Sequence, residues 1–158
     1  MSANLIVVAG VAGFILFNFP PAKIFMGDSG ASTLGFLVAA YSLWASVEGL
    51  FPIWVALLVF SPFIVDATVT LLRRALAGER VWEAHKSHFY QRLVQLGWGH
   101  KKTVLHGYLL MVLCGVSAFF SLQMSVFLQW LTIAIWALIY VAIMIRVTRL
   151  ERQRVIKT

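Results

Sequence analysis

All thirteen Lys and Arg residues of this 158-residue chain fall in alternate links between apolar stretches. That one-sided pattern constrains the fold more than any other feature. Five apolar stretches can be drawn, at 3–17, 31–47, 51–72, 104–120 and 126–145. Lys23 lies in the first link. Arg73, Arg74, Arg80, Lys86, Arg92, Lys101 and Lys102 lie in the third, and Arg146, Arg149, Arg152, Arg154 and Lys157 in the tail. The links near Glu48 and near Leu122 carry none. Five helices that alternate across a bilayer put every basic residue on one face, and the preference of Lys and Arg for the cytoplasmic side makes that face the inner one. The expected fold class is all-α, a polytopic integral membrane helix bundle with about five transmembrane helices across residues 1–158. Loops 18–30 and 73–103 and the tail 146–158 are expected to be cytoplasmic, and the start of the chain to face outward. The first stretch is about 22 Å long as a helix, short of the roughly 20 residues a full span needs.

The chain is 61% hydrophobic and 12% charged, with mean hydropathy +0.87; soluble domains are about 25% charged. The net charge of +7 is read as a topology signal, so the lipid bilayer is the expected partner and nucleic acid is not. The single cysteine, Cys114, rules out a disulfide within the chain and leaves a Cys/His zinc site without a second thiol. The first basic residue, Lys23, follows the first apolar stretch, so the charged start of a signal peptide is missing. The basic tail is read as a topology anchor that also suits anionic head groups.

Three places carry chemistry. In the first link, Gly27, Asp28, Ser29 and Gly30 stand where a loop gives way to a helix. Glycines there let backbone approach a ligand, and free N–H groups at a helix start favour phosphate. A carboxylate beside a phosphate site commonly holds Mg²⁺. The competing reading is an ordinary cap made by Asp28 or Ser29.

In the third link, His85, His88 and Arg92 are spaced by three and four residues and would share one face of a helix. With Lys86 and Arg80 nearby, that face would suit a pyrophosphate, with Arg as a fork for its oxygens. The alternative is a solvated basic loop that fixes topology. A zinc site there lacks a third soft ligand. Asp66, inside the third stretch and seven residues before Arg73, is the third signal. Carboxylates within a span are costly and usually face a polar interior. Asp66 could order Arg73, Arg74 or a loop histidine from behind the site, or pair for structure alone. Trp44, Trp54, Trp82 and Trp98 read as interfacial belt residues.

The string at 18–30, Asn-Phe-Pro-Pro-Ala-Lys-Ile-Phe-Met-Gly-Asp-Ser-Gly, resembles a signature of the polyprenyl-phosphate N-acetylhexosamine-1-phosphate transferases, glycosyltransferase family 4. Ser61 to Ala67 followed by Arg73-Arg74 looks like that family's next helix, and His85 to Leu93 resembles its histidine-bearing cytoplasmic loop. The resemblance implies a bacterial inner-membrane enzyme that moves an N-acetylhexosamine 1-phosphate from a UDP-sugar to polyprenyl (undecaprenyl) phosphate. The products would be a lipid-diphosphate sugar, for cell-envelope polysaccharide, and UMP. It implies Mg²⁺, with Mn²⁺ as its substitute. It carries Asp28 over as the metal-associated, catalytic aspartate and His88 as a catalytic histidine. Asn18, Gly27, Ser29, Gly30, Lys86 and Arg92 become substrate or phosphate contacts, with Asp66 behind them.

Four departures from the family pattern stand beside the resemblance. Tyr90 and Gln91 stand where many members have further histidines, which leans toward the O-antigen-initiating branch over the peptidoglycan one. His85 stands where relatives often have aspartate, and Ala31 replaces a frequent serine. Members also carry an Asp-Asp pair in an earlier part of the sequence, and none of the six acidic residues here forms one. The chain therefore reads as a C-terminal portion, incomplete and inactive in isolation, whose partners would include a missing N-terminal half or a second protomer. Two other readings compete: a non-catalytic or split membrane fragment that binds a partner half or polyprenyl phosphate without turnover, and, less well supported, a transporter.

Overall fold

The computed structural model describes residues 2–80, 82, 83 and 87–157. Its elements are α1 (Ser2–Asn18), α2 (Gly27–Val47), α3 (Ile53–Val59), α4 (Ser61–Leu76), α5 (Phe89–Leu93), a π-helical turn (Val94–Trp98), α6 (His100–Ser121) and α7 (Val126–Lys157). No strand occurs among the described residues. The chain is an all-α polytopic membrane protein. It divides into two units, residues 1–44 and 45–158.

Three helices, α2, α6 and α7, are long and apolar enough to cross a membrane. The apolar part of α1, Asn4–Asn18, is shorter. The third apolar stretch, expected as one span, holds two helices, α3 and α4, bent by 75° at a short break, and they pass together as a fourth span if the bent pair is counted as one. The cause is local. Pro62 lies in the first turn of α4, where its missing N–H is harmless, whereas inside a continuous helix it would remove a bond. Phe60, at φ −91° and ψ 2°, absorbs the change of direction. Ser61 then stitches the break by donating to the Leu58 carbonyl at 2.6 Å.

In the second unit α6 and α7 pair antiparallel through a ladder of small and polar side chains. Cys114 Sγ lies 3.3 Å from the Tyr140 hydroxyl. Trp136 Nε1 donates to Ser117 Oγ at 2.8 Å. Ser121 and Thr132 hydroxyls meet at 2.8 Å. Steps of three and four residues on each helix keep these pairs on one seam. Cys114 and Ala118, both fully buried, let the backbones approach as small residues do in membrane bundles. Leu58 and Trp136 complete the buried cluster, and Ser61 joins it through a 2.6 Å contact with Tyr140. Large apolar side chains such as Leu57, Phe63, Leu109, Phe119 and Leu138 face outward, as they do in a bundle whose solvent is lipid.

At about 1.5 Å per residue the 32-residue α7 is about 48 Å long, well beyond a hydrocarbon core of about 30 Å. Its apolar part ends at Ile145, and Arg146, Arg149, Glu151 and Arg152 continue the helix past it.

Candidate functional site

In the first unit, the link between α1 and α2 closes on itself. Asn18 Nδ2 donates to the Ile24 carbonyl at 2.9 Å, and the Lys23 N–H donates to the Phe17 carbonyl at 2.8 Å. Asn18, expected as a substrate contact, thus supports the loop's own shape. Gly27 opens α2 at φ +69°, a left-handed conformation that side chains resist. Gly30 packs so closely on Met26 that a Cβ there would lie 2.6 Å from Met26 Cγ. Asp28 and Ser29 follow in the exposed first turn. Among the described residues neither side chain caps the helix; the one side-chain bond in this turn runs from Thr33 Oγ1 to the Ser29 carbonyl, at 2.8 Å. The Asp28 carboxylate is left facing outward beside free helix-start N–H groups.

In the second unit, Asp66 meets the histidine loop. One of its carboxylate oxygens accepts the Phe89 N–H at 2.8 Å and the Thr70 hydroxyl at 3.2 Å, and lies 3.5 Å from His88 Nδ1. Of the partners open to Asp66 in the sequence, the geometry realises the loop histidine. His88 does not share a helical face with Arg92. It sits at the extended residue before α5, φ −61° and ψ 147°, and its N–H donates to Gln91 Oε1 at 3.3 Å. His85 and Lys86 lie outside the described residues.

Arg92 is inside the protein, 4% exposed. Its Nε donates to Glu151 at 2.6 Å, its Nη2 reaches the other Glu151 oxygen and the Thr148 hydroxyl, and its guanidinium lies 4.4 Å above the Phe89 ring. Nη1 is buried without a hydrogen-bond partner among the described residues. Glu151 lies beyond the apolar part of α7. The hydrogen bond from Arg92 holds its carboxyl below the usual carboxylate range.

Arg74 works differently from Arg73. It is buried and gathers the start of the loop, with Nε on Glu79 at 2.7 Å and Nη2 on the Arg80 carbonyl at 2.8 Å. Arg73 stays exposed. Trp98 packs edge-on against His106 at 4.9 Å and carries Lys102 over its face at 4.5 Å. Among the described residues no three His, Cys, Asp or Glu side chains converge as a metal site.

Sequence reasoning missed Glu151 and Thr148. The one signal for Glu151 was its position as the lone acid in a basic tail. Nothing in the sequence tied it to Arg92.

Comparison with known proteins adds an independent observation. Residues 1–46 match the family model described as glycosyl transferase family 4. The chain is 33% identical over 156 residues, 98% of its length, to a probable undecaprenyl-phosphate N-acetylglucosaminyl 1-phosphate transferase of Bacillus subtilis, covering 43% of that protein. It is 34% identical over 118 residues, 66% of its length, to a decaprenyl-phosphate N-acetylglucosaminephosphotransferase of Mycobacterium tuberculosis, covering 29% of it. It is 35% identical over 103 residues, 63% of its length, to a phospho-N-acetylmuramoyl-pentapeptide-transferase of Listeria monocytogenes, covering 30% of it. The chain thus spans less than half the length of these relatives. No solved structure matches it.

Proposed function

Because the chain belongs to glycosyl transferase family 4, we propose that it serves the transfer of an N-acetylhexosamine 1-phosphate from a UDP-sugar to a polyprenyl phosphate, releasing UMP. The observation that carries this reading is the likeness along nearly the whole chain to a relative named for that kind of transfer. The two loops supply the chemistry. The α2 start offers an outward carboxylate and backbone N–H groups, which suit a phosphate-bound cation and a phosphate. The second unit offers His88, held by Asp66, as a donor to nucleotide or diphosphate oxygens. The one-sided basic residues support a cytoplasmic position for both loops, in a bacterial inner membrane.

The donor set at the α2 start fits Mg²⁺ as one ligand of several. Asp28 is the only acidic residue in 1–44, so phosphate oxygens, water and carboxylates from outside this chain would complete the shell. The bound cation would supply neutralisation of charge on the phosphates. Asp28 would hold it, and the Gly27–Gly30 backbone would take phosphate oxygens. Arg92 is engaged with Glu151, which leaves only Nη1 to offer, so its share is chiefly to hold the loop. By the same count of carboxylates, the purified chain alone turns over no substrate. Tyr90 and Gln91, in place of further histidines, favour an O-antigen-type pathway over peptidoglycan.

The test is mass spectrometry of lipids from membranes of cells that make the protein, incubated with UDP-N-acetylglucosamine, undecaprenyl phosphate and Mg²⁺. The reading expects undecaprenyl diphosphate carrying one N-acetylhexosamine, lost on deletion of the coding sequence. Product unchanged by deletion would overturn it.

A further inference from the structure

We propose that Glu151 is a positioning residue for His88, acting with Asp66 as a two-ended brace on α5. The inference rests on the reading of His88 as a substrate contact.

α5 has five residues, Phe89 to Leu93, too few to hold a helix in place unaided. Each end is tied to a different long helix. At the front, Asp66 on α4 accepts the Phe89 N–H at 2.8 Å and lies 3.5 Å from His88 Nδ1. At the back, Arg92 reaches across to α7, where Glu151 takes it with both oxygens and Thr148 adds a hydroxyl. Arg92 also lies over Phe89, 4.4 Å from the ring centroid, so its position bears directly on the residue that follows His88. A guanidinium this buried depends on its carboxylate, because a buried charge without its partner is expensive. The basic extension of α7 is more than a topology anchor on this account. A further contact, from Arg154 Nη1 to the Gln95 carbonyl, ties the same extension to the π-helical turn after α5. Neutralising Glu151 frees the back of α5, and the loop at its front then loses its fixed aim toward substrate.

The experiment uses the full chain in lipid nanodiscs, with Glu151→Gln, Glu151→Asp and a distant control, Glu48→Gln. Two readings are taken: amide hydrogen exchange across 89–98, and the ¹⁵N ring signals of His88. The brace predicts that Glu151→Gln speeds exchange at 89–93 by about tenfold or more, leaves the apolar part of α6 unchanged, and shifts the His88 signals. Glu151→Asp keeps the charge with a shorter reach, so it gives an intermediate shift. Glu48→Gln matches wild type. Wild-type exchange and His88 signals in Glu151→Gln would overturn the brace, and so would a wild-type spectrum in Glu151→Asp if Glu151→Gln fails to fold. In membranes where turnover is measurable, Glu151→Gln lowers kcat and leaves KM for the UDP-sugar near its original value. If His88→Ala leaves turnover intact while the His88 signals still move in Glu151→Gln, the brace stands and the catalytic reading of His88 fails.

Discussion

Arg92 and Glu151, 59 residues apart in the chain, meet through two hydrogen bonds that join the histidine loop to the last helix. The pair makes the tail part of the loop's support, and it carries a pH dependence. Arg92 holds the Glu151 carboxyl below its ordinary range. A carboxyl depressed on folding adds stability that is fully present above its ordinary pKa, about 4.3, and lost as pH falls through the depressed value. Thermal unfolding in detergent should therefore separate Glu151→Gln from wild type at pH 7, with wild type the more stable. The two curves should converge as pH falls through that depressed value. A gap that stays constant to low pH would contradict the pairing.

Asp66 is expected to matter through what it holds. Asp66→Ala removes the acceptor for the Phe89 N–H and the neighbour of His88 in one step. If His88 contacts substrate, turnover should fall by about 10²-fold, the usual size of a lost charge-assisted positioning contact. UMP release measured beside His88→Ala and the double variant checks this. The two losses should not add, because both act through one histidine. Additive losses would give Asp66 a separate role.

At the bend between α3 and α4, Tyr140→Phe removes the hydroxyl that meets Ser61, while Ser61 keeps its bond to the Leu58 carbonyl. The expected loss of stability is about 1 kcal/mol. Ala118→Leu, at a fully buried position on the α6–α7 seam, forces the helices apart and should cost about 1–3 kcal/mol. Denaturant titration in mixed micelles ranks the two. Ala118→Leu milder than Tyr140→Phe would mean the seam is looser than described.

Asn18→Ala opens the tie to the Ile24 carbonyl. The loop before Gly27 should become more accessible to protease, and stability should fall by about 1 kcal/mol at most. An unchanged cleavage rate would place the loop's support in the backbone bond from Lys23 to Phe17.

The apolar stretches and the grouping of basic residues were legible because hydropathy and length decide what can cross a bilayer. The break at Phe60 was signalled by Pro62, but a proline in a long apolar run reads equally as a tolerated kink, and only the turn geometry separates the two. Asp66 stood out because a carboxylate in an apolar run is costly, so its neighbourhood to the loop was readable while its choice of His88 over Arg73 or Arg74 was not. Helical spacing put His85, His88 and Arg92 on one face; His85 lies outside the described residues, and His88 stands just before α5, where Asp66 accepts the Phe89 N–H. Glu151 was illegible because no local rule links residues so far apart. The ladder of Cys114, Ser117 and Ser121 was not read from the sequence, because its partners Tyr140, Trp136 and Thr132 follow only from how α7 returns.

The most direct measurement of the central claim is UMP release from UDP-N-acetylglucosamine by membranes containing the protein, with Asp28→Asn beside wild type across a Mg²⁺ titration. Asp28→Asn keeps the size of the side chain and removes the charge that would hold the cation. The account predicts release that rises with Mg²⁺ in wild type and falls by about 10²-fold or more in Asp28→Asn, with membrane insertion unchanged. Equal release by the two, or release indifferent to Mg²⁺ and to chelator, would contradict it.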